Sequence, residues 1–247
     1  MNTVKNEKVA LVTGAARGIG ATVAWRLASD GFAIAVNYAS SATEAEVLVE
    51  ELKGEGALAI AVQADVTNPM QVRRMFDTVE QQLGKVDVLV NNAGVMKVVP
   101  LDDTTDATFD QTFNTNVRGT FNTMREAAAR IGKGGRIINF SSSQVGLKSP
   151  GYAVYGASKA AVETLTQVFS KELRGREVTV NAVAPGPVAT ELFFNGKTDE
   201  QVKAFTNLSP LQRLGQPDDV AAAVSFLAGP DGGWVNGQVL RPNGGVI

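Results

Sequence analysis

The 247-residue chain contains neither cysteine nor histidine. The first absence excludes disulfides, thiolate metal ligands and a cysteine nucleophile. The second removes the side chain most often used for proton transfer near neutral pH, and together they leave no ordinary ligand set for structural zinc. No apolar run approaches the ~20 residues that a bilayer-spanning helix needs. The opening Met1-Asn2-Thr3-Val4-Lys5-Asn6-Glu7-Lys8 is polar and lacks the apolar centre of a signal peptide. A cytoplasmic protein without a membrane partner is therefore expected. A basic block is missing too: 23 basic residues face 25 acidic ones, for a net charge of −2, and nothing suggests a nucleic-acid partner. What the chain does have is a 44% hydrophobic fraction, enough for a sizeable core.

The apolar residues fall into short runs that alternate with helix-period segments. Strand-like runs lie at Val9–Val12, Phe32–Val36, Leu58–Val62, Val86–Val90, Arg136–Phe140, Glu177–Val183 and Gly237–Leu240. Helices are expected between them, at about 19–29, 43–53, 69–83, 108–130, 153–173 and 218–227. Asn68 is the expected cap, and Pro69 the first residue, of the third helix. Runs that are apolar throughout indicate a sheet buried on both faces. Repeated β-α units imply parallel strands with right-handed crossovers. The expected fold is thus α/β: a doubly wound parallel sheet of about seven strands, Rossmann-type, as a single domain over 1–247. The stretch between Pro185 and Pro217 reads as irregular, and its central part, about 188–216, as a substrate loop because it holds Leu192, Phe193, Phe194 and Phe205.

Between the first strand and the first helix stands Thr13-Gly14-Ala15-Ala16-Arg17-Gly18-Ile19-Gly20. Glycines allow a tight turn and a close approach of pyrophosphate to the backbone, and the helix N-terminus supplies free N–H groups and partial positive charge. An NAD site usually places an acid about 20 residues on, at the end of the second strand. Here that strand ends Asn37-Tyr38-Ala39-Ser40-Ser41, with no acid before Glu44. Arg17, inside the turn, offers a fork of donors suited to a 2′-phosphate. NADP(H) is accordingly expected over NAD(H).

Tyr155-Gly-Ala-Ser-Lys159 puts a phenol and an ammonium one helical turn apart on one face. A nearby cation favours the phenolate and lowers a pKa that is ordinarily about 10, so such a tyrosine can exchange a proton with a carbonyl oxygen. Two strands upstream end in polar groups, Asn91-Asn92-Ala93-Gly94 and Ser141-Ser142-Ser143. Open α/β sheets bind ligands at such strand ends.

In order and spacing these segments resemble the short-chain dehydrogenase/reductase family in its compact single-domain form, over nearly the whole chain. The resemblance includes 3-oxoacyl carrier-protein reductases and ketone reductases of broad range. It implies a catalytic tetrad of Asn116, Ser142, Tyr155 and Lys159. Tyr155 would be the acid in reduction and the base in oxidation. Lys159 would lower the Tyr155 pKa and bind the nicotinamide ribose. Ser142 would donate to the substrate oxygen, and Asn116 would hold a water linked to Lys159. The same resemblance implies a cofactor site of Gly14, Arg17, Gly18, Ile19 and Gly20, of Asn37, Tyr38 and Ser40, of Asp65 and Val66, of Asn92, Ala93 and Gly94, and of Pro185, Gly186, Val188 and Thr190, together with Tyr155 and Lys159. Asn92 also has a structural reading, through backbone hydrogen bonds, and Asp65 a reading as a cap for the Pro69 helix.

The expected pocket wall, Val95, Met96, Gln144, Val145, Leu147, Tyr152 and the 192–194 segment, carries few charges and suits a neutral ketone or aldehyde. Compact members of the family are commonly tetramers, so a homotetramer, or a dimer, is expected. The apolar positions Phe109, Phe113, Val117, Phe121 and Met124, and those at Ala157, Ala160, Ala161, Leu165, Val168 and Phe169, form stripes for the sheet and a neighbour. The alternative to an NADPH-dependent carbonyl reductase is a catalytically silent NADP-binding sensor on the same fold.

Overall fold

The computed structural model describes residues 8–247; the polar segment 1–7, on which the expectation of no leader rests, lies outside the described residues. The order along the chain begins β1 (Val9–Val12), α1 (Gly18–Ser29), β2 (Ala33–Tyr38), α2 (Ala42–Gly54), β3 (Ala59–Gln63), α3 (Pro69–Gln82) and β4 (Val86–Asn91). It continues α4 (Asp106–Phe113), α5 (Gly119–Arg130), β5 (Arg136–Phe140), α6 (Gln144–Leu147), α7 (Ala153–Glu172) and β6 (Thr179–Val183). The last elements are α8 (Glu191–Phe194), α9 (Asp199–Leu208), α10 (Pro217–Ala228) and β7 (Val239–Leu240). Seven parallel strands lie in the order β3-β2-β1-β4-β5-β6-β7. The chain winds outward from β1 to β3 and then restarts beside β1 at β4. The crevice at that reversal, at the carboxyl ends of the strands, is where such sheets bind ligands.

Strand alternation divides the core between two layers. Ala10, Val12, Ile34 and Val36 face Val23 and Leu27 of α1, Leu48 and Leu52 of α2, and Val224 and Leu227 of α10. Leu11, Ala33, Ala35, Leu89 and Ile137 face Val72, Phe76 and Val79 of α3, Met124 of α5 and Ile131 just after it. With both faces covered, no polar alternation is possible in the central strands, which is why they read as unbroken apolar runs. The α3 start is as expected: Asn68 Oδ1 accepts from the N–H groups of Met70 and Gln71, with Pro69 first in the helix. Among the described residues no helix is long and apolar enough to cross a membrane.

Three local departures matter for the site. The single helix expected near 108–130 is α4 and α5 joined by a π-helical turn, Asn114–Arg118. That wider turn carries Asn116, whose carboxamide is drawn to the Val95 backbone. The stretch expected to be irregular holds α8 and α9, and α9 begins in a capping box of Thr198 and Gln201. The fully buried face of α7 is Ser158, Lys159, Val162, Thr166 and Ser170, while Leu165 and Phe169 of its apolar stripe pack partly buried against the core. Val168 stays about half exposed, as do Phe109 of α4 and Phe121 of α5.

Candidate active site

The glycine turn is shaped by close contacts rather than by flexibility. Gly14 and Gly18 have φ of +59° and +56°, the left-handed region that favours glycine. A Cβ on Gly20 would stand 2.4 Å from Asn92 Nδ2, and one on Gly14 2.9 Å from Ala93 Cα. The Asn92 amide donates to the carbonyls of Thr13 and Gly14, both at 2.9 Å. Thr13 Oγ1 accepts from the N–H groups of Asn92 and Ala93. The end of β4 is thereby bolted to the turn after β1. Asn92 thus has the structural part anticipated for it.

Helix α1 begins with Arg17 at its cap, no side chain satisfying its first N–H groups and no acid in its first turn. An uncapped helix start lined by Gly18, Ile19 and Gly20 is a ready anion site. The Arg17 guanidinium lies 3.7 Å from the Glu191 carboxylate, both well exposed. Such a pair is weak and exchangeable. Asn37 is placed differently from a cofactor contact. It is 1% exposed, accepts from Gly14 N–H, and donates to the carbonyls of Val62 and Ala64, so its carboxamide braces the turn from inside. Asp65 Oδ1 accepts from Thr67 N–H at 2.8 Å, which supports the turn leading into α3; the cap of that helix is Asn68, not Asp65.

The tetrad residues converge from three elements. Ser142 follows β5, Tyr155 and Lys159 stand on α7, and Asn116 sits in the π-helical turn. Ser142, Tyr155 and Lys159 line one cleft together with Ile19, Asn92, Gly94, Pro185, Gly186, Val188 and Thr190. Lys159 is 5% exposed; its Nζ donates to the Phe140 carbonyl at 2.8 Å and lies 5.8 Å from the Tyr155 ring centroid. A Cβ on Gly94 would meet Asn116 Oδ1 at 3.2 Å and Lys159 Nζ at 3.5 Å, so this loop passes close over both. Asn116 itself is fully buried, with Oδ1 accepting from Val95 N–H (2.8 Å) and Nδ2 donating to Val95 O and Ser158 Oγ (both 3.0 Å). Each polar atom of its carboxamide has a protein partner, so it acts as a clamp on the loop after β4.

The electrostatics differ from the simple pairing read from the sequence. Burial pushes the Tyr155 phenol above its ordinary value; the neighbouring Ser142 hydroxyl opposes this, and Tyr152 adds to the rise. Lys159 is pulled down to about 8 by burial. The ammonium therefore titrates near physiological pH, and without a bound molecule its cationic form does not dominate the phenol's environment. The four-residue spacing was legible in the sequence. The depth at which the hydroxyl and the ammonium lie was not.

Several supporting residues escaped the sequence reading. Ser141 Oγ donates to Glu163 Oε1 at 2.6 Å and fixes the segment that carries Ser142. Ser143 Oγ donates to Ala184 O and accepts from Asn243 Nδ2, tying β5, the Pro185–Gly186 segment and the C-terminal turn together. Only Asn243 had a usable signal, its place in Pro242-Asn243-Gly244-Gly245. The pocket wall holds Val95, Met96, Gln144, Leu147, Tyr152, Leu192 and Phe193 as expected and adds Phe205 from α9, whereas Val145 lies in an adjoining groove.

Comparison with known proteins gives the same assignment from independent ground. Residues 14–247 match the family described as enoyl-(acyl carrier protein) reductase. A short-chain type dehydrogenase/reductase of Picea abies is 46% identical over 250 residues, spanning 97% of this chain and 92% of that protein. An NADPH-dependent aldehyde reductase-like chloroplastic protein of Arabidopsis thaliana is 46% identical over 254 residues, with 97% and 94% covered. The crystal structure of a short-chain dehydrogenase from Burkholderia cenocepacia in complex with NADP superposes with a TM-score of 0.92 at 39% identity, covering 99% of each chain. A seven-stranded sheet wound about one crevice, a glycine turn bolted to β4, and near-complete alignment with such proteins lead to one conclusion: this chain belongs to the short-chain dehydrogenase/reductase family.

Proposed function

We propose that this protein reduces a ketone or aldehyde carbonyl to an alcohol with NADPH, reversibly. The observation that carries the proposal is the gathering of Ser142, Tyr155 and Lys159 on one wall of a cleft whose other end is an uncapped helix start. The residues present fit the dinucleotide: Gly14 and Gly20 hold the turn tight where a side chain would clash at under 3.0 Å, and the first N–H groups of α1 are left for a phosphate. Gly18, Ile19 and Gly20 would hold the pyrophosphate, Asp65 and Val66 the adenine, and Pro185, Gly186, Val188 and Thr190 the nicotinamide amide. Tyr38 and Ser40, at the end of β2, would border the adenosine ribose. The bound cofactor supplies the hydride.

The chain's own part is placement and proton transfer. Tyr155, protonated at neutral pH because it is buried, gives its hydroxyl proton to the carbonyl oxygen as negative charge grows there. Ser142 donates a second hydrogen bond to the same oxygen. Lys159 binds ribose hydroxyls, and its charge lowers the cost of the phenolate left on Tyr155. In oxidation the same groups run in reverse. Asn116 is assigned a positioning role, through Val95 and Ser158. The segment 188–216, with α8 and α9, is assigned to the substrate: Phe193 stacks edge-on against Phe205 at 5.5 Å, and Lys197 Nζ donates to the Phe193 carbonyl at 2.7 Å.

Arg17 is assigned to the adenosine 2′-phosphate, exchanging its weak partner Glu191 for a stronger doubly hydrogen-bonded one. Arg17→Ala should raise the KM for NADPH by about tenfold or more and that for NADH by less than about threefold. Steady-state kinetics with both cofactors decide this, and equal effects would remove Arg17 from the phosphate site. A homotetramer, or a dimer, completes the proposal, because Phe109, Phe121 and Val168 leave apolar surface on α4, α5 and α7. Sedimentation should give a multiple of the 247-residue chain mass; the mass of one chain would refute it.

A further inference from the structure

Resting on the carbonyl-reductase reading, we propose that the cleft selects ketones that bear a second oxygen acceptor on the carbon next to the reacting one, carried on an apolar body, and that Gln144 and Tyr152 hold that second oxygen. The body follows from the walls: Val95, Met96, Leu147, Leu192, Phe193 and Phe205 present only carbon and sulfur, and among the described residues no acid lines the cleft. The second oxygen follows from an account of donors. Outside the Ser142–Tyr155–Lys159 set, the side-chain donors of the lining are nearly all spent inside the protein. Ser141 donates to Glu163, Ser143 to Ala184 O, Thr190 to Val188 O, and the Asn92 amide to Thr13 and Gly14.

Two donors remain. Gln144 is 9% exposed and its Oε1 accepts from Ser149 N–H at 3.3 Å, which leaves Nε2 without a protein partner among the described residues. Tyr152, 7% exposed, has its ring edge-on to Tyr155 at 6.3 Å between centroids, and its hydroxyl has no partner among the described residues. Neither group is sealed in the interior, since the buried side-chain polar atoms lacking partners are Arg136 Nε and Thr179 Oγ1. A nearly buried donor with nothing to donate to is costly unless a ligand or water completes it. Each also adjoins a group that grips the reacting oxygen. Gln144 N–H donates to Ser142 Oγ at 3.2 Å, and Tyr152 precedes Tyr155 by three residues at the start of α7. The second acceptor, one carbon from the first, would lie between the Gln144 and Tyr152 donors of the same cleft.

The test compares kcat/KM for 1-phenylpropane-1,2-dione with that for 1-phenylpropan-2-one, using NADPH and the full chain. The readout is the ratio of the two in each variant, so a general loss of activity cancels. Gln144→Glu keeps the Ser149 contact and replaces the free donor by an oxygen that repels a carbonyl; it should lower the ratio at least about tenfold. Tyr152→Phe should lower it by about threefold or more, and an unchanged melting temperature for either variant shows that the fold is intact. Ratios within about twofold of wild type in both variants would overturn the inference. So would a loss seen with 1-phenylbutane-1,3-dione and not with the 1,2-dione. Failure of the unmodified protein to reduce any of these ketones would instead strike the carbonyl-reductase reading itself.

Discussion

Tyr155→Phe should lower kcat for ketone reduction by about 10³-fold while leaving the NADPH dissociation constant within about twofold of wild type. The substitution removes one oxygen and keeps the ring, so the cleft wall and the edge contact with Tyr152 persist. Burial already disfavours the charged phenol in the free protein, so the cost to the fold is limited to the hydrogen bond with Ser142, about 1 kcal/mol. The loss falls on kcat because the proton is needed as charge develops on the carbonyl oxygen, not when the ketone first binds. A silent nucleotide-binding protein would show the same cofactor affinity in both forms and turnover in neither. Cofactor fluorescence titration and steady-state kinetics on the same preparations separate the two readings.

The second large effect has opposite signs for stability and activity. Lys159→Met should abolish most turnover and raise the melting temperature of the cofactor-free protein. Burial lowers the Lys159 pKa from 10.5 to about 8. Below about pH 8 the folded protein holds a charge that the unfolded chain would carry more cheaply, a penalty of about 3 kcal/mol. The sign follows from proton counts. Between about 8 and 10.5 the unfolded state binds the extra proton, so wild-type stability rises with pH across that window, and the penalty is fully present below it. Methionine removes the penalty but leaves the Phe140 carbonyl without its donor, which returns about 1 kcal/mol. The net gain of about 2 kcal/mol corresponds to a rise of about 4–8 °C at pH 7, shrinking toward pH 10.5. Thermal unfolding at several pH values measures it. A variant that melts lower than wild type at pH 7 would show that Lys159 is not a destabilising buried charge.

This opposition gives physical content to the placement of Lys159. An ammonium held in the core is maintained at a cost in stability, and among the described residues its hydrogen-bond partner is the Phe140 carbonyl alone. Binding of a ribose would supply the remaining acceptors. Cofactor affinity and fold stability are linked through that group.

Much of the architecture could be read from the chain because the physics was local. Short unbroken apolar runs separated by helix-period segments fit the strands of a covered sheet, and Asn68-Pro69 fits a helix start. The glycine turn and the Tyr155/Lys159 spacing likewise needed no long-range information. What escaped depends on contacts distant in sequence. The π-helical turn exists where Asn116 reaches Val95, 21 residues away. Asn37 reads as a cofactor contact until Gly14, Val62 and Ala64 are found around it. On α7 the apolar stripe told only part of the packing: Leu165 and Phe169 reach the core, but the fully buried positions include Ser158, Lys159 and Thr166, polar groups that carry the site. Helix α9 had a legible capping box in Thr198 and Gln201, which the neighbouring Gly196 and phenylalanines obscured. The sign of the Tyr155 shift was the deepest miss, since spacing shows which charges are near and burial decides which of them are paid in full.

The most direct measurement follows the two hydrogens separately. With NADPH carrying deuterium at the transferable C4 position and a ketone in ordinary water, the account predicts one deuterium on the carbinol carbon for each cofactor oxidised and an exchangeable proton on oxygen. Carbinol hydrogen drawn from solvent, or cofactor oxidation without alcohol, would contradict it.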